Sequence, residues 1–106
     1  MTKPSNAVFR ALADPTRRAI LRELTNGPRT SGDIADLFDS SWPTISRHLA
    51  VLRDSGLVLA ARSGQEIHYE LNSSVFQDLL QHLIDWIPSA RPPRLRSRRA
   101  RRHQEA

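Results

Sequence analysis

Within eight residues the chain places Ser41, Thr44 and Ser46, the guanidinium of Arg47 and the imidazole of His48, with Trp42 and Pro43 among them and Ile45 as the single aliphatic. Serine and threonine compete with the helical backbone for hydrogen bonds and are mediocre helix formers. As a surface they are short, and each hydroxyl both donates and accepts. Such a set suits recognition by hydrogen bonding at close range. It does not suit covalent chemistry. The chain has no cysteine, which removes thiol nucleophiles, disulfides and thiolate metal sites together. No Gly-rich phosphate loop, Ser-His-Asp arrangement or catalytic carboxylate pair stands out, so neither an enzyme nor a cofactor is expected.

Capping residues and hydrophobic period predict the elements that hold these groups. Val8, Phe9, Leu12 and Ala13 recur at helical spacing and predict a short first helix. Asp14 as N-cap, with Pro15 at the first helical position, starts a second. Ala19, Ile20 and Leu24 share its inner face, and Arg17, Arg18 and Arg22 point mostly outward. Asn26-Gly27-Pro28 ends it. Thr30 and Asp33 form a capping box for a third helix, with Ile34, Leu37 and Phe38 as its apolar face. Ser41 caps the fourth, so Pro43 falls in the first turn, where its missing N–H is not needed. Ile45, Leu49 and Leu52 follow at i, i+4, i+7, and Gly56 ends the helix.

The period then changes to two. Val58 to Arg62 and Glu66 to Leu71 flank Ser63-Gly64-Gln65 and predict a hairpin. Ser74 with Gln77 predicts the start of a last helix, the most apolar element, which carries Val75, Phe76, Leu79, Leu80, Leu83, Ile84, Trp86 and Ile87 up to Pro88. The fold class is therefore mainly α with a small β-hairpin, in the order ααααββα. That is a winged helix-turn-helix.

The 106 residues allow one domain with a modest core. Residues 1–90 hold nine Lys or Arg against ten Asp or Glu, whereas residues 91–106 hold seven Arg against Glu105 alone. The basic character thus belongs to the end of the chain. The reading is a domain over 1–90, serving DNA binding and dimerisation, and an Arg-rich disordered tail over 91–106. No membrane-spanning run or signal segment is visible, and a soluble cytoplasmic chain is expected.

At 100° per residue, the fourth helix turns Ile45, Leu49 and Leu52 to one side and Pro43, Arg47, Ala50 and Asp54 to the other, with Thr44, Ser46 and Val51 between. A recognition helix enters the major groove N-terminal end first, where short hydroxyls permit close approach. Arginine can bond guanine bidentately, a contact worth about 1–3 kcal/mol of discrimination. The plainer reading is an ordinary surface helix capped by Ser41. The paired short helices and the hairpin after them favour double-stranded DNA as partner.

"LADPTRRAILREL", "SGDIADLF", "SWPTISRHLAVLRDSGLV" and "HYEL" together resemble the ArsR-type winged helix-turn-helix repressors, from about Phe9 to Ile87. The resemblance implies a homodimer, built from the first and last helices, on a palindromic promoter operator. Carried onto this chain it puts Pro43, Thr44, Ser46 and Arg47 in the groove, with Ser41, Trp42 and His48 beside them and Arg62 and Gln65 on the wing. Many relatives have a basic residue where Gln65 stands. Trp42 either packs on sugar edges or a thymine methyl, or covers the turn after Phe38. The dimer seam would take Val8, Phe9, Leu12, Phe76, Leu79, Leu80, Leu83, Ile84 and Trp86.

Many such proteins release DNA on binding a metal, and the thiol-free form uses Asp and His of the last helices. Asp78, His82 and Asp85 stand at i, i+4, i+7, yet without the further histidines of that pattern. A solvated polar helix face is the better reading, so no metal is assigned. The resemblance is nearest to the metal-independent relatives, some of which repress their own operons. An unidentified inducer or protein partner stays open. The alternatives are a winged-helix module that binds protein and a non-specific DNA binder driven by the Arg-rich tail.

Overall fold

Four of the five described helices start at a side chain, Ser5, Asp14, Thr30 or Ser41, that takes up one of the first unpaired N–H groups. The computed structural model describes residues 3–88, so the predicted tail over 91–106 lies outside the described residues. The elements are α1 (Asn6–Leu12), α2 (Pro15–Leu24), β1 (Arg29–Thr30), α3 (Ser31–Asp36), α4 (Trp42–Ser55), β2 (Val58–Ser63), β3 (Glu66–Leu71) and α5 (Ser73–Ile84). Asp14 caps α2 by accepting the Arg17 N–H at 3.1 Å. Thr30 and Asp33 close a reciprocal capping box at the start of α3. Ser41 caps α4, and Gly56 ends it in the left-handed conformation at φ 89°.

Three features differ from the sequence expectation. The hairpin is joined by a third strand: β1 pairs antiparallel with β3, Arg29 opposite Tyr69 and Thr30 opposite His68, giving the sheet order β1-β3-β2. Second, α5 begins at Ser73 with Asn72 as N-cap and no side-chain cap bond, so Ser74 and Gln77 do not form the expected box. The Asn72 N–H is held by Leu57 O at 3.0 Å, which places the strand-to-helix boundary there. Third, Leu37 is the C-cap of α3 and 51% exposed, not part of an apolar face.

The core gathers Val8 and Ala11 of α1, Ile20, Leu21 and Leu24 of α2, Ile34 of α3, and Ile45, Leu49 and Leu52 of α4. Leu57, Val58, Tyr69 and Leu79 close it from the sheet and α5. Among the described residues, no polar or charged residue is fully buried. At the level of single atoms, Arg29 Nε is buried without a hydrogen-bond partner, which carries a desolvation cost. No helix of the described residues is long and apolar enough to cross a membrane.

The cap on α2 is open to titration. The fold holds the Asp14 carboxyl below its ordinary value, chiefly through the Arg17 backbone N–H, with His48 and Arg17 charges adding to the effect and desolvation opposing it. A depressed pKa stabilises the fold above the unfolded-state value of about 4, and that stability is lost as pH falls through the folded value. Asp14→Ala is expected to lower unfolding free energy by about 1 kcal/mol at neutral pH, the usual value of an N-cap. Urea titrations from neutral to acid pH should find wild type and variant converging below about pH 4. A gap of constant size down to acid pH would show that the carboxylate charge contributes nothing.

Candidate nucleic-acid interface

Burial decides which way α4 faces. Ile45, Leu49 and Leu52 are 0%, 2% and 0% exposed, and this turns Pro43, Ser46 and Arg47 to solvent. Thr44 is half-buried at the edge of that face. Ser41 Oγ donates to Thr44 Oγ1 at 3.0 Å and accepts the Thr44 N–H at 3.4 Å. Arg47 Nη2 in turn donates to Thr44 Oγ1 at 3.4 Å. A short polar chain thus runs from the N-cap to the guanidinium along the first two turns. It leaves an arginine fork beside the helix N-terminus, where unpaired N–H groups and the dipole favour an anion.

Trp42 is 54% exposed at the first helical position of α4. Phe38 packs against the core. The wing is a two-residue reversal: Ser63 pairs with Glu66, Gly64 stands at φ 63°, and among the described residues only glycines have positive φ. A positive φ at the first turn position alone is the pattern of a type II′ hairpin. Arg62 and Gln65 are both exposed on this tip.

His48 goes elsewhere. Its side chain is 16% exposed, with Nε2 3.8 Å from Asp14 Oδ2 and Nδ1 3.3 Å from Arg17 Nη1. It is directed into the junction of α2 and α4, away from the face that carries Ser46 and Arg47. Arg17 was expected to point outward and is instead half-buried, donating to the backbone at the end of α1. The sequence reading missed this role. A cation three residues after an N-cap, next to the end of the preceding helix, is the signal that could have found it.

The residues expected at a dimer seam divide. Val8 and Leu79 are 2% and 7% exposed in the chain's own core and leave almost nothing for a partner. Phe9, Leu12 and Phe76 pack half-buried against that core, and Ile84 is likewise half-buried. Leu80, Leu83 and Trp86 are 58%, 36% and 61% exposed. Beside them His82 is not simply solvated. Its ring lies 6.0 Å from Phe9 and 5.2 Å, edge-on, from Trp86. Asp85 Oδ1 accepts from Gln81 Nε2 at 2.9 Å. Among the described residues of one chain, no three His, Asp or Glu side chains gather as a metal site would require.

A family model described as a helix-turn-helix domain matches residues 12–59. The chain is 45% identical to the transcriptional repressor SdpR of Bacillus subtilis over 82 residues, which cover 77% of this chain and 91% of that protein. The chain belongs to the ArsR-type family of winged helix-turn-helix repressors. The arsenical resistance operon repressor of Escherichia coli is 42% identical over 64% of this chain and 59% of its own. Among solved structures, an ArsR family transcriptional regulator superposes with a TM-score of 0.71 at 34% identity, covering 76% of this chain and 84% of that one. A Mycobacterium bovis domain described as a homodimeric winged helix-turn-helix DNA-binding domain gives 0.64 at 32% identity, covering 76% and 77%. In this ArsR-type chain the helix-turn-helix is α3 and α4, and the wing is β2 and β3.

Ser41 both starts α4 and anchors its polar chain. Ser41→Ala should lower stability by about 1 kcal/mol, while Ser41→Asp, which keeps the capping acceptor, should stay near wild type. Thermal unfolding of the three proteins checks this. An alanine variant as stable as the aspartate variant would mean that the cap bond at 3.4 Å contributes nothing.

Proposed function

We propose that the chain is a homodimeric, sequence-specific repressor acting on an inverted-repeat operator in double-stranded cytoplasmic DNA. In this reading α4 enters the major groove and the β2–β3 hairpin lies along the adjacent backbone or minor groove. The observation that carries it is the polarity of α4: a fully buried aliphatic stripe behind, and Ser46 and Arg47 exposed in front, with Thr44 linking Arg47 to the N-cap. Short hydroxyls with one arginine fork are what a groove-reading helix needs at its leading end. Trp42, exposed beside them, packs on a sugar edge or a thymine methyl. Arg62 and Gln65 meet the backbone at the wing.

Exposed Leu80, Leu83 and Trp86 support a dimer through α5, with Phe9 and Leu12 of α1 at its margin. The homodimeric description of the Mycobacterium bovis neighbour supports the same reading. Neither metal nor inducer is part of the proposal. The seven arginines of residues 91–106 add sequence-independent attraction to phosphates.

The test is selection of bound fragments from a random duplex pool by the full-length chain at about 0.15 M salt, where long-range attraction is largely screened. An enriched inverted repeat with half-sites about one helical turn apart is expected. Arg47→Ala should then weaken that site by about 1–3 kcal/mol and relax preference at one base pair. Retention without any enriched sequence would instead favour a non-specific binder acting through its Arg-rich end.

Leu83→Asp puts a charge into the proposed α5 seam and should convert dimer to monomer in sedimentation. A variant that stays dimeric would place the interface on another face.

A further inference from the structure

Arg17 is a strongly basic residue that the groove-facing surface does not use, and all three of its guanidinium nitrogens are engaged inside the fold. Nε donates to Ala11 O at 2.7 Å and Nη2 to Arg10 O at 2.9 Å. Both carbonyls belong to the last turn of α1, where a cation is favoured, and Arg10 O also accepts the Ala13 N–H at 3.1 Å. The third nitrogen, Nη1, meets Nδ1 of His48 on α4 at 3.3 Å. A guanidinium can only donate, so Nδ1 accepts and the ring proton belongs on Nε2. That nitrogen faces Asp14 Oδ2 at 3.8 Å, the same oxygen that caps α2 through the Arg17 N–H. One residue of α2 therefore ties the end of α1 to the second turn of α4.

We propose that Arg17, acting through His48, is a positioning residue for operator recognition, fixing the pose of α4 against the C-terminal end of α1. The inference rests on the repressor reading above. The aliphatic stripe of α4 settles which side of the helix faces inward, but apolar contacts are non-directional and resist sliding and tilting weakly. Three directed hydrogen bonds from one planar group supply what the stripe lacks. Because α1 borders the exposed α5 surface, a displaced α4 would alter the separation of the two recognition helices in a dimer. Arg17 itself touches no DNA in this arrangement, its nitrogens being committed to the protein.

The experiment compares full-length wild type, Arg17→Lys, His48→Ala and His48→Gln on the selected operator and on the same operator with one base pair added between its half-sites. Lysine keeps the charge without the planar fork, and glutamine keeps an acceptor for Arg17. Wild type should discriminate between the two spacings. Arg17→Lys and His48→Ala should shrink that ratio by about tenfold, the scale of one charge-assisted hydrogen bond, and His48→Gln should recover it. All four are measured at a temperature where circular dichroism shows each variant folded. A purely structural role would weaken both operators alike, and an unchanged ratio overturns the proposal. So does a His48→Gln variant as poor as His48→Ala.

If wild type selects no operator, the repressor reading fails by itself, and the contact is then judged without DNA. Nitrogen NMR of the His48 ring in mildly alkaline buffer should show an unprotonated Nδ1 whose shift moves in Arg17→Lys. A protonated Nδ1, or a shift indifferent to Arg17, would dispose of the contact.

Discussion

Ile45, Leu49 and Leu52 are each exposed to 2% or less, and everything that α4 shows to solvent depends on where that stripe is held. Burying one such side chain is worth about 1.5–3 kcal/mol, whereas a typical hydrogen bond nets about 0.5–1.5 kcal/mol. The exposed bonds from Ser41 to Thr44 and from Arg47 to Thr44, at 3.0–3.4 Å, cannot compete with three buried aliphatics over the rotation of the helix. Packing sets the rotation, and the polar chain arranges what the rotation has exposed. The same order holds for the wing, where the strand alternation that buries Tyr69 leaves Glu70 outside.

Legibility in the sequence followed how local each feature was. Asp14, the Thr30–Asp33 box, Ser41 and Gly56 act over three or four residues, and each was readable from its neighbours alone. Strand β1 was not, because two residues carry no period and its only warrant is pairing with β3, far along the chain. Thr30 also serves twice, as strand residue and as cap of α3, and the cap is the louder signal. Ser74 with Gln77 fitted a capping pattern that the chain does not use. The bond from Asn72 to Leu57 fixes the helix start two residues earlier, and nothing near Ser74 encodes that constraint.

The candidate interface was legible on α4 and less so on α5. A helix with apolar residues on most of its faces does not say which of them fill its own core. Leu79 does so and Leu80 beside it does not, a division decided by which side of α5 meets the core. His82 illustrates the converse. Its spacing with Asp78 and Asp85 suggested a solvated polar face, but the ring rests against Phe9 and Trp86. A polar residue at the margin of an apolar seam is amphipathic in use, which pattern alone does not reveal. His48 likewise sat among groove residues in sequence and is turned by one helical step into the α2 junction.

Charge explains why pose should matter so much in this domain. The described residues 3–88 are close to electroneutral, with nine cationic and ten anionic side chains, so counterion release from them is limited. Several of the cations are also engaged within the protein. Arg17 and Arg18 donate to the carbonyls that end α1, and Arg53 pairs with Asp54 at 3.3 Å. A domain of this kind cannot rely on a broad positive surface to hold DNA while its helix searches for register. Its discrimination has to come from a few directed groups, and a hydrogen bond weakens steeply once its angle departs from linearity. Small errors in the placement of α4 would therefore cost more here than in a strongly basic reader, and the internal use of Arg17 is consistent with a fold that gives up a phosphate contact to hold its recognition helix in place.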